Sequence, residues 1–172
     1  MYYLETERTT LSLLTEEDLP AVAAIALEED TFKYLKKFRT MSPEEYARFV
    51  HTKLEQIRSN TGYHWAVRLK KDQRFIGVVN LNLIAGTSKM QIGAQLKRDY
   101  WGQGFASELL QKLVEFGIHQ LHLPAVYGVF EKDNNASRRL LEKLGFVLEE
   151  SFKEKEVELE VHKYTVPGSH PV

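Results

Sequence analysis

The stretch from Lys89 to Phe130 constrains the fold more than any other part of the chain. Lys89 to Leu96 reads as a strand. A turn holding Gly102 and Gly104 follows, and then Ala106, Leu109, Leu110, Leu113, Val114, Gly117, Ile118 and Leu121 keep helical spacing for about four turns. Pro124 closes that helix, and Ala125 to Phe130 is an almost unbroken apolar run, the pattern of a strand buried on both faces. Strand, helix, strand predicts two parallel neighbours, because a helical crossover lets consecutive strands run the same way.

The remaining segments fit around that unit. Thr9 to Leu14 suits a first strand. Thr15-Glu16-Glu17-Asp18 marks a helix start, with Leu19, Val22, Ala23, Ala26 and Leu27 as its apolar positions. Ser42-Pro43-Glu44-Glu45 marks a second, with proline at the first helical position and Glu45 set to close a capping box. Tyr46, Phe49, Val50, Leu54 and Ile57 form that helix's apolar face. Tyr63 to Leu69, Phe75 to Ile84 and Lys89 to Leu96 are strands joined through Lys71-Asp72-Gln73 and Ala85-Gly86-Thr87-Ser88, and so are antiparallel. Ser137, Leu140, Leu141 and Leu144 mark a helix closed by Gly145, and Phe146 to Phe152 with Val157 to Val166 end the chain as a hairpin. The sum is an α/β (α+β) domain, a mixed, mostly antiparallel sheet of about seven strands flanked by about four helices. It spans residues 1–166, and 167–172 read as a frayed tail.

Composition narrows the chemistry. At 172 residues the chain is one ordinary domain, and a net charge of −1 lacks the electrostatic footprint of a nucleic-acid binder. The absence of cysteine excludes disulfides, thiolate metal sites and a thiol acyl-enzyme. No apolar run reaches the roughly 20 residues that span a membrane, and Met1 to Glu7 is no signal peptide, so a cytoplasmic protein without membrane partners is expected. His51, His64, His119, His122, His162 and His170 lack metal-ligand spacing, so no metal is expected.

The segment Leu96-Lys97-Arg98-Asp99-Tyr100-Trp101-Gly102-Gln103-Gly104-Phe105-Ala106-Ser107-Glu108 lies between the strand and the patterned helix. Its small residues let backbone approach a ligand, and the orphan N–H groups of a helix's first turn, with the helix dipole, suit a diphosphate. A tight connection is the plain alternative. The nucleotide P-loop needs a Gly-Lys-Ser/Thr ending, which is absent. The dinucleotide fingerprint needs a third glycine, where this chain has Ser107, and a turn after the first strand.

Tyr100-Trp101-Gly102-Gln103-Gly104-Phe105-Ala106 resembles the acetyl-CoA pyrophosphate loop of the GNAT acetyltransferase superfamily, in its RimJ/RimL-type form. Asn134-Asn135-Ala136-Ser137 and Leu141-Glu142-Lys143-Leu144-Gly145-Phe146 are similar to the family's later motif. The resemblance implies the GNAT acyl-CoA N-acyltransferase fold. It also implies transfer of an acetyl group from acetyl-CoA to a primary amine, of a protein N-terminus or a small molecule, by direct attack in a ternary complex. In that reading Gln95, Leu96 and Lys97 offer backbone groups to pantetheine, and the Leu96 N–H polarises the thioester carbonyl. Trp101, Gly102, Gln103, Gly104, Phe105 and Ala106 hold the pyrophosphate, and Asn134 and Ser137 meet the cofactor from the opposite side. Acetyl-CoA and an amine acceptor are the implied partners, and monomer and homodimer both fit the family.

Three positions depart from the family's pattern. Trp101 stands where Gln or Arg is frequent, Leu141 where many members carry a tyrosine general acid, and Gln91 where many carry a glutamate. Ser137 becomes the nearest hydroxyl for the general acid, and the base is ordered water or an acid such as Glu149, Glu150 or Glu156. A catalytically silent acyl-CoA-binding module is the alternative. Plainer readings stand beside these: Ser137 as a first-turn hydroxyl, Asn134 as an N-cap and Trp101 as a loop anchor. Glu156, Glu158 and Glu160 read as the wet face of a strand. Thr31 to Arg39, mixing aromatic and basic residues, reads either as an acceptor-site border or as a solvated loop with aromatic anchors.

Overall fold

The computed structural model describes residues 2–28 and 30–168. Its strands are β1 (Leu4–Glu5), β2 (Thr9–Leu13), β3 (Gly62–Leu69), β4 (Phe75–Leu83), β5 (Met90–Leu96), β6 (Val126–Glu131), β7 (Val147–Glu154) and β8 (Val157–Tyr164). They form one sheet of 8 strands in the order β1-β2-β3-β4-β5-β6-β8-β7. Helices α1 (Leu19–Ile25), α3 (Pro43–Arg58), α4 (Phe105–Glu115) and α5 (Asn135–Lys143) flank it, and α2 (Lys36–Arg39) is a single turn between α1 and α3. The expected seven strands become eight because Leu4–Glu5 pairs with Thr10–Leu11, a contact too short to leave a period in sequence. Of the expected tail, residues 169–172 lie outside the described residues.

Each face of the sheet has its own core. On one, Leu109, Leu110, Leu113 and Phe116 pack on Trp65, Val67, Val79, Leu81 and Ile92. On the other, Val22, Tyr46, Val50 and Leu54 pack on Ala66 and Val78. Covered on both faces, β3 and β4 carry apolar residues in succession rather than in alternation.

Local signals explain the helix boundaries. In α3 the Glu45 amide donates to Ser42 Oγ at 3.1 Å and the Ser42 amide donates to Glu45 Oε2 at 2.6 Å, closing the predicted box. The Thr15 start leads first into a 3₁₀ turn, Glu16–Asp18, and α1 ends at Ile25. Leu27 therefore leaves the apolar face and is 75% exposed. Helix α4 starts at Phe105 and passes into a π turn, Phe116–Gln120. The wet-face reading of β8 fails at Glu160, which is 7% exposed and accepts hydrogen bonds from Arg138 at 3.0 Å and His162 at 3.0 Å. Arg138 belongs to α5, which covers that side of the strand.

One buried histidine makes stability depend on pH. His64 is 4% exposed, and its Nε2 donates to Gln56 Oε1 at 2.5 Å. Burial, reinforced by the charge of Lys53, pushes its pKa down to about 3. Below about pH 6.5 the unfolded chain binds a proton that the folded chain refuses until about pH 3. Stability is thus full above that window and falls as pH drops through it, by at most about 1.4 kcal/mol per pH unit. His64→Asn is expected to flatten this part of the pH profile in urea titrations. An unchanged slope would place the proton elsewhere.

Candidate active site

The site begins where two strands part. β5 and β6 run parallel, as predicted, but their register holds one pair, Gln91↔Tyr127. From Ile92 to Leu96, β5 is paired only with β4. The Lys97 amide donates to the Ile76 carbonyl at 2.8 Å, so alternation along an antiparallel ladder directs the Leu96 and Ala94 amides away from β4, into the opening. The Leu96 carbonyl accepts from Trp101 Nε1 at 2.9 Å. Of the three backbone positions expected to meet a ligand, Gln95 and Lys97 thus have their N–H groups directed to β4, and Leu96 keeps its N–H toward the gap.

At the mouth of the gap, Gly102 and Gly104 have φ of 72° and 80°, a left-handed conformation that favours glycine. A β-carbon at Gly102 would meet nothing within 4 Å. Gly104 caps α4 without a side-chain bond, and the first helical bond runs from the Glu108 amide to the Gly104 carbonyl at 3.1 Å. The amides of Phe105, Ala106 and Ser107 precede that bond and point out of the helix end. Small left-handed residues beside orphan donors fit a diphosphate, since an anion needs both the room and the N–H groups. Trp101 is half exposed and anchored through its indole, so the anchor reading describes its side chain.

Across the gap, Asn134 Oδ1 accepts from the Ser137 amide at 3.1 Å, which makes Asn134 the N-cap of α5. Both residues are half-buried. Leu141 is buried over Gly128, where an added β-carbon would come within 2.4 Å of Leu141 Cδ1. The position at which a tyrosine acid is frequent is here a packing position.

The face of β5 opposite α4 is lined with amides. The Asn80 side chain lies over Gly93, with Oδ1 2.7 Å from where a β-carbon would stand. Tyr46 Oη donates to Gln95 Oε1 at 3.4 Å, and burial pushes the Tyr46 phenol up to about 12, so it keeps its proton at neutral pH. Of the carboxylates named as bases, Glu149 lies 2.9 Å from Lys89 and 3.5 Å from Lys163. The Lys89 hydrogen bond above all holds its pKa down, which makes it a poor proton acceptor. Phe32 and Phe38 of the basic, aromatic segment pack on Tyr46, as anchors do. The side chains of Lys36 and Lys37 there lie outside the described residues.

Arg8 is the residue that sequence reasoning missed. Its Nε donates to Glu108 Oε1 at 2.9 Å and its Nη1 to the Gln103 carbonyl at 3.1 Å, and the guanidinium lies 3.8 Å from the Phe105 ring centroid. No local signal links residues so far apart in the chain. A cleft of about 590 Å³ adjoins this contact, lined by Arg8, Lys70, Lys71, Tyr100, Gln103 and Phe105 among others.

The acetyltransferase (GNAT) domain model matches residues 8–147. The uncharacterized N-acetyltransferase YoaA of Bacillus subtilis (strain 168) is 29% identical over 144 residues, 83% of this chain and 81% of that protein. The ribosomal alpha-N-protein acetyltransferase RimL, solved in complex with coenzyme A, superimposes with a TM-score of 0.81 at 18% identity, over 97% of this chain and 99% of that one. The spermidine N-acetyltransferase of Vibrio cholerae, solved with CoA and spermine, gives a TM-score of 0.75 at 18% identity, over 91% and 95%. A family match across the strand pair, the glycine loop and the α5 cap gives the fold its name: this chain belongs to the GNAT acetyltransferases.

Proposed function

We propose that this chain, as one GNAT domain over residues 1–166, transfers the acetyl group of acetyl-CoA to a primary amine by direct attack in a ternary complex. The observation that carries the reading is the β5–β6 pairing, which stops at Gln91↔Tyr127, together with a helix start preceded by two left-handed glycines, Gly102 in open space. The pantetheine arm enters that gap, and the loop from Trp101 to Ala106 receives the pyrophosphate on backbone amides. Acetyl-CoA supplies the activated thioester. The Leu96 N–H donates to its carbonyl oxygen, where charge develops as the amine attacks. Asn134 keeps its side-chain NH₂ for the arm, its oxygen being engaged by Ser137. The Ser137 hydroxyl is the candidate proton donor to the departing thiolate. With Gln91 in the β5 position and Glu149 tied to lysines, the amine's proton leaves through water. RimL and the spermidine enzyme support the CoA assignment by likeness of fold and name two acceptor types, a protein α-amine and a polyamine.

Thermal unfolding with acetyl-CoA, CoA, NAD or ATP tests the cofactor. A ligand at about 100 times its dissociation constant adds roughly 2.7 kcal/mol, and stabilisation by acetyl-CoA and CoA alone is expected. Stabilisation by NAD or ATP instead would sink the reading. A second reading, a silent acyl-CoA-binding module, draws on Leu141 packed over Gly128 and on Gln91. CoA binding without thiol release across an amine panel would favour it.

A further inference from the structure

We infer that Arg8 is a positioning residue for the pyrophosphate loop, acting through the Gln103–Gly104 peptide. The inference rests on the CoA reading of that loop. A trans peptide directs its C=O and N–H to opposite sides, and no described peptide is cis. Arg8 Nη1 holds the Gln103 carbonyl at 3.1 Å, so the Gly104 N–H points away from Arg8. At a left-handed glycine the peptide is free to turn over, and this one contact fixes its direction. Two further contacts fix the guanidinium itself: Glu108 Oε1 at 2.9 Å and the Phe105 ring at 3.8 Å. Arg8 therefore ties the start of β2 to both sides of the α4 N-terminus.

The same ion pair has an electrostatic effect. Glu108 lies in the first turn of α4, where a carboxylate favours the bare helix dipole but opposes an anionic ligand. Burial pushes the Glu108 carboxyl up, yet hydrogen bonds from Thr6 and Arg8 outweigh it and keep the group ionised. Arg8 stands against that charge and leaves the N-terminus attractive to a diphosphate. Thr6 donates to Glu108 as well, but its other hydrogen bonds are with Thr9, outside the loop. That difference separates loop positioning from simple anchoring of β2.

CoA titrated calorimetrically into wild type, Arg8→Gln, Arg8→Lys and Thr6→Val, each with its melting temperature, tests the inference. Arg8→Gln is expected to weaken CoA at least about tenfold, since the bonds lost are charge-assisted. Arg8→Lys, which keeps the charge without the fork, falls between it and wild type and serves if Arg8→Gln does not fold. Thr6→Val is expected to lose thermal stability while binding CoA within about twofold of wild type. CoA affinity that is unchanged in both Arg8 variants, or that falls in Thr6→Val as far as in Arg8→Gln, overturns the positioning role. Failure of wild type itself to bind CoA overturns the reading beneath it, a result distinct from either.

Discussion

Replacing Gly104 by valine is expected to remove CoA binding and to cost stability as well. Gly104 has φ of 80°, and a β-carbon there has only Arg8 Nη2 near it, at 3.6 Å. The side chain would thus stand in the space beside the orphan amides of α4, where the diphosphate is proposed to lie. Read from sequence, a β-branched side chain here fills the pyrophosphate space, abolishing CoA binding and leaving the fold largely intact. The backbone angle revises this: a β-branched residue held at positive φ costs on the order of 1–3 kcal/mol. Gly86→Ala is a control for strain, with φ of 76° and nothing within 4 Å of the new atom. It is expected to lower stability modestly and to leave CoA affinity alone. Calorimetric titration and thermal melts of both variants give the two quantities separately. If Gly104→Val takes up CoA with wild-type affinity, the loop is not the pyrophosphate site.

How far the site was legible depends on how local its causes are. The Ser42–Glu45 box, the turn glycines and the Asn134 cap act over a few residues, and each appears where its residue types predict. The parallel pair was legible because a long patterned helix between two strands leaves little choice of topology. The point where that pairing ends, Gln91↔Tyr127, leaves no mark in the residues themselves, since diverging strands carry the same apolar residues as paired ones. Leu27 misled because periodicity continues past the point where the backbone leaves the helix. Glu160 misled because alternation shows that a strand has two faces, not which of them a helix will cover. Arg8 and Glu108 met only through folding, across 100 positions of sequence.

Gly77 joins the fold to the site most tightly, and Gly77→Ala is expected to be the most damaging single-methyl change in the sheet. It pairs with Leu96 across β4 and β5, at φ of 156°. An added β-carbon would stand 2.3 Å from the Gln95 carbonyl oxygen and 2.8 Å from Leu96 Cα. Both are backbone atoms, so no rotamer change relieves the contact and the two strands must separate. Overpacking of this kind costs about 1–3 kcal/mol or more, and for a chain of this size each kcal/mol lowers the melting temperature by about 2–4 °C. Gly93→Ala makes the useful contrast: its new atom meets the Asn80 side chain, which can move. The Gly77 variant is expected to melt well below the Gly93 variant. Because Leu96 carries the N–H aimed into the gap, the displaced strand should also weaken acetyl-CoA more than the stability loss alone accounts for. A Gly77→Ala protein that melts and binds like wild type would mean that β4 and β5 have more room between them than these distances allow. The Leu96 amide would then lose its claim to a fixed direction.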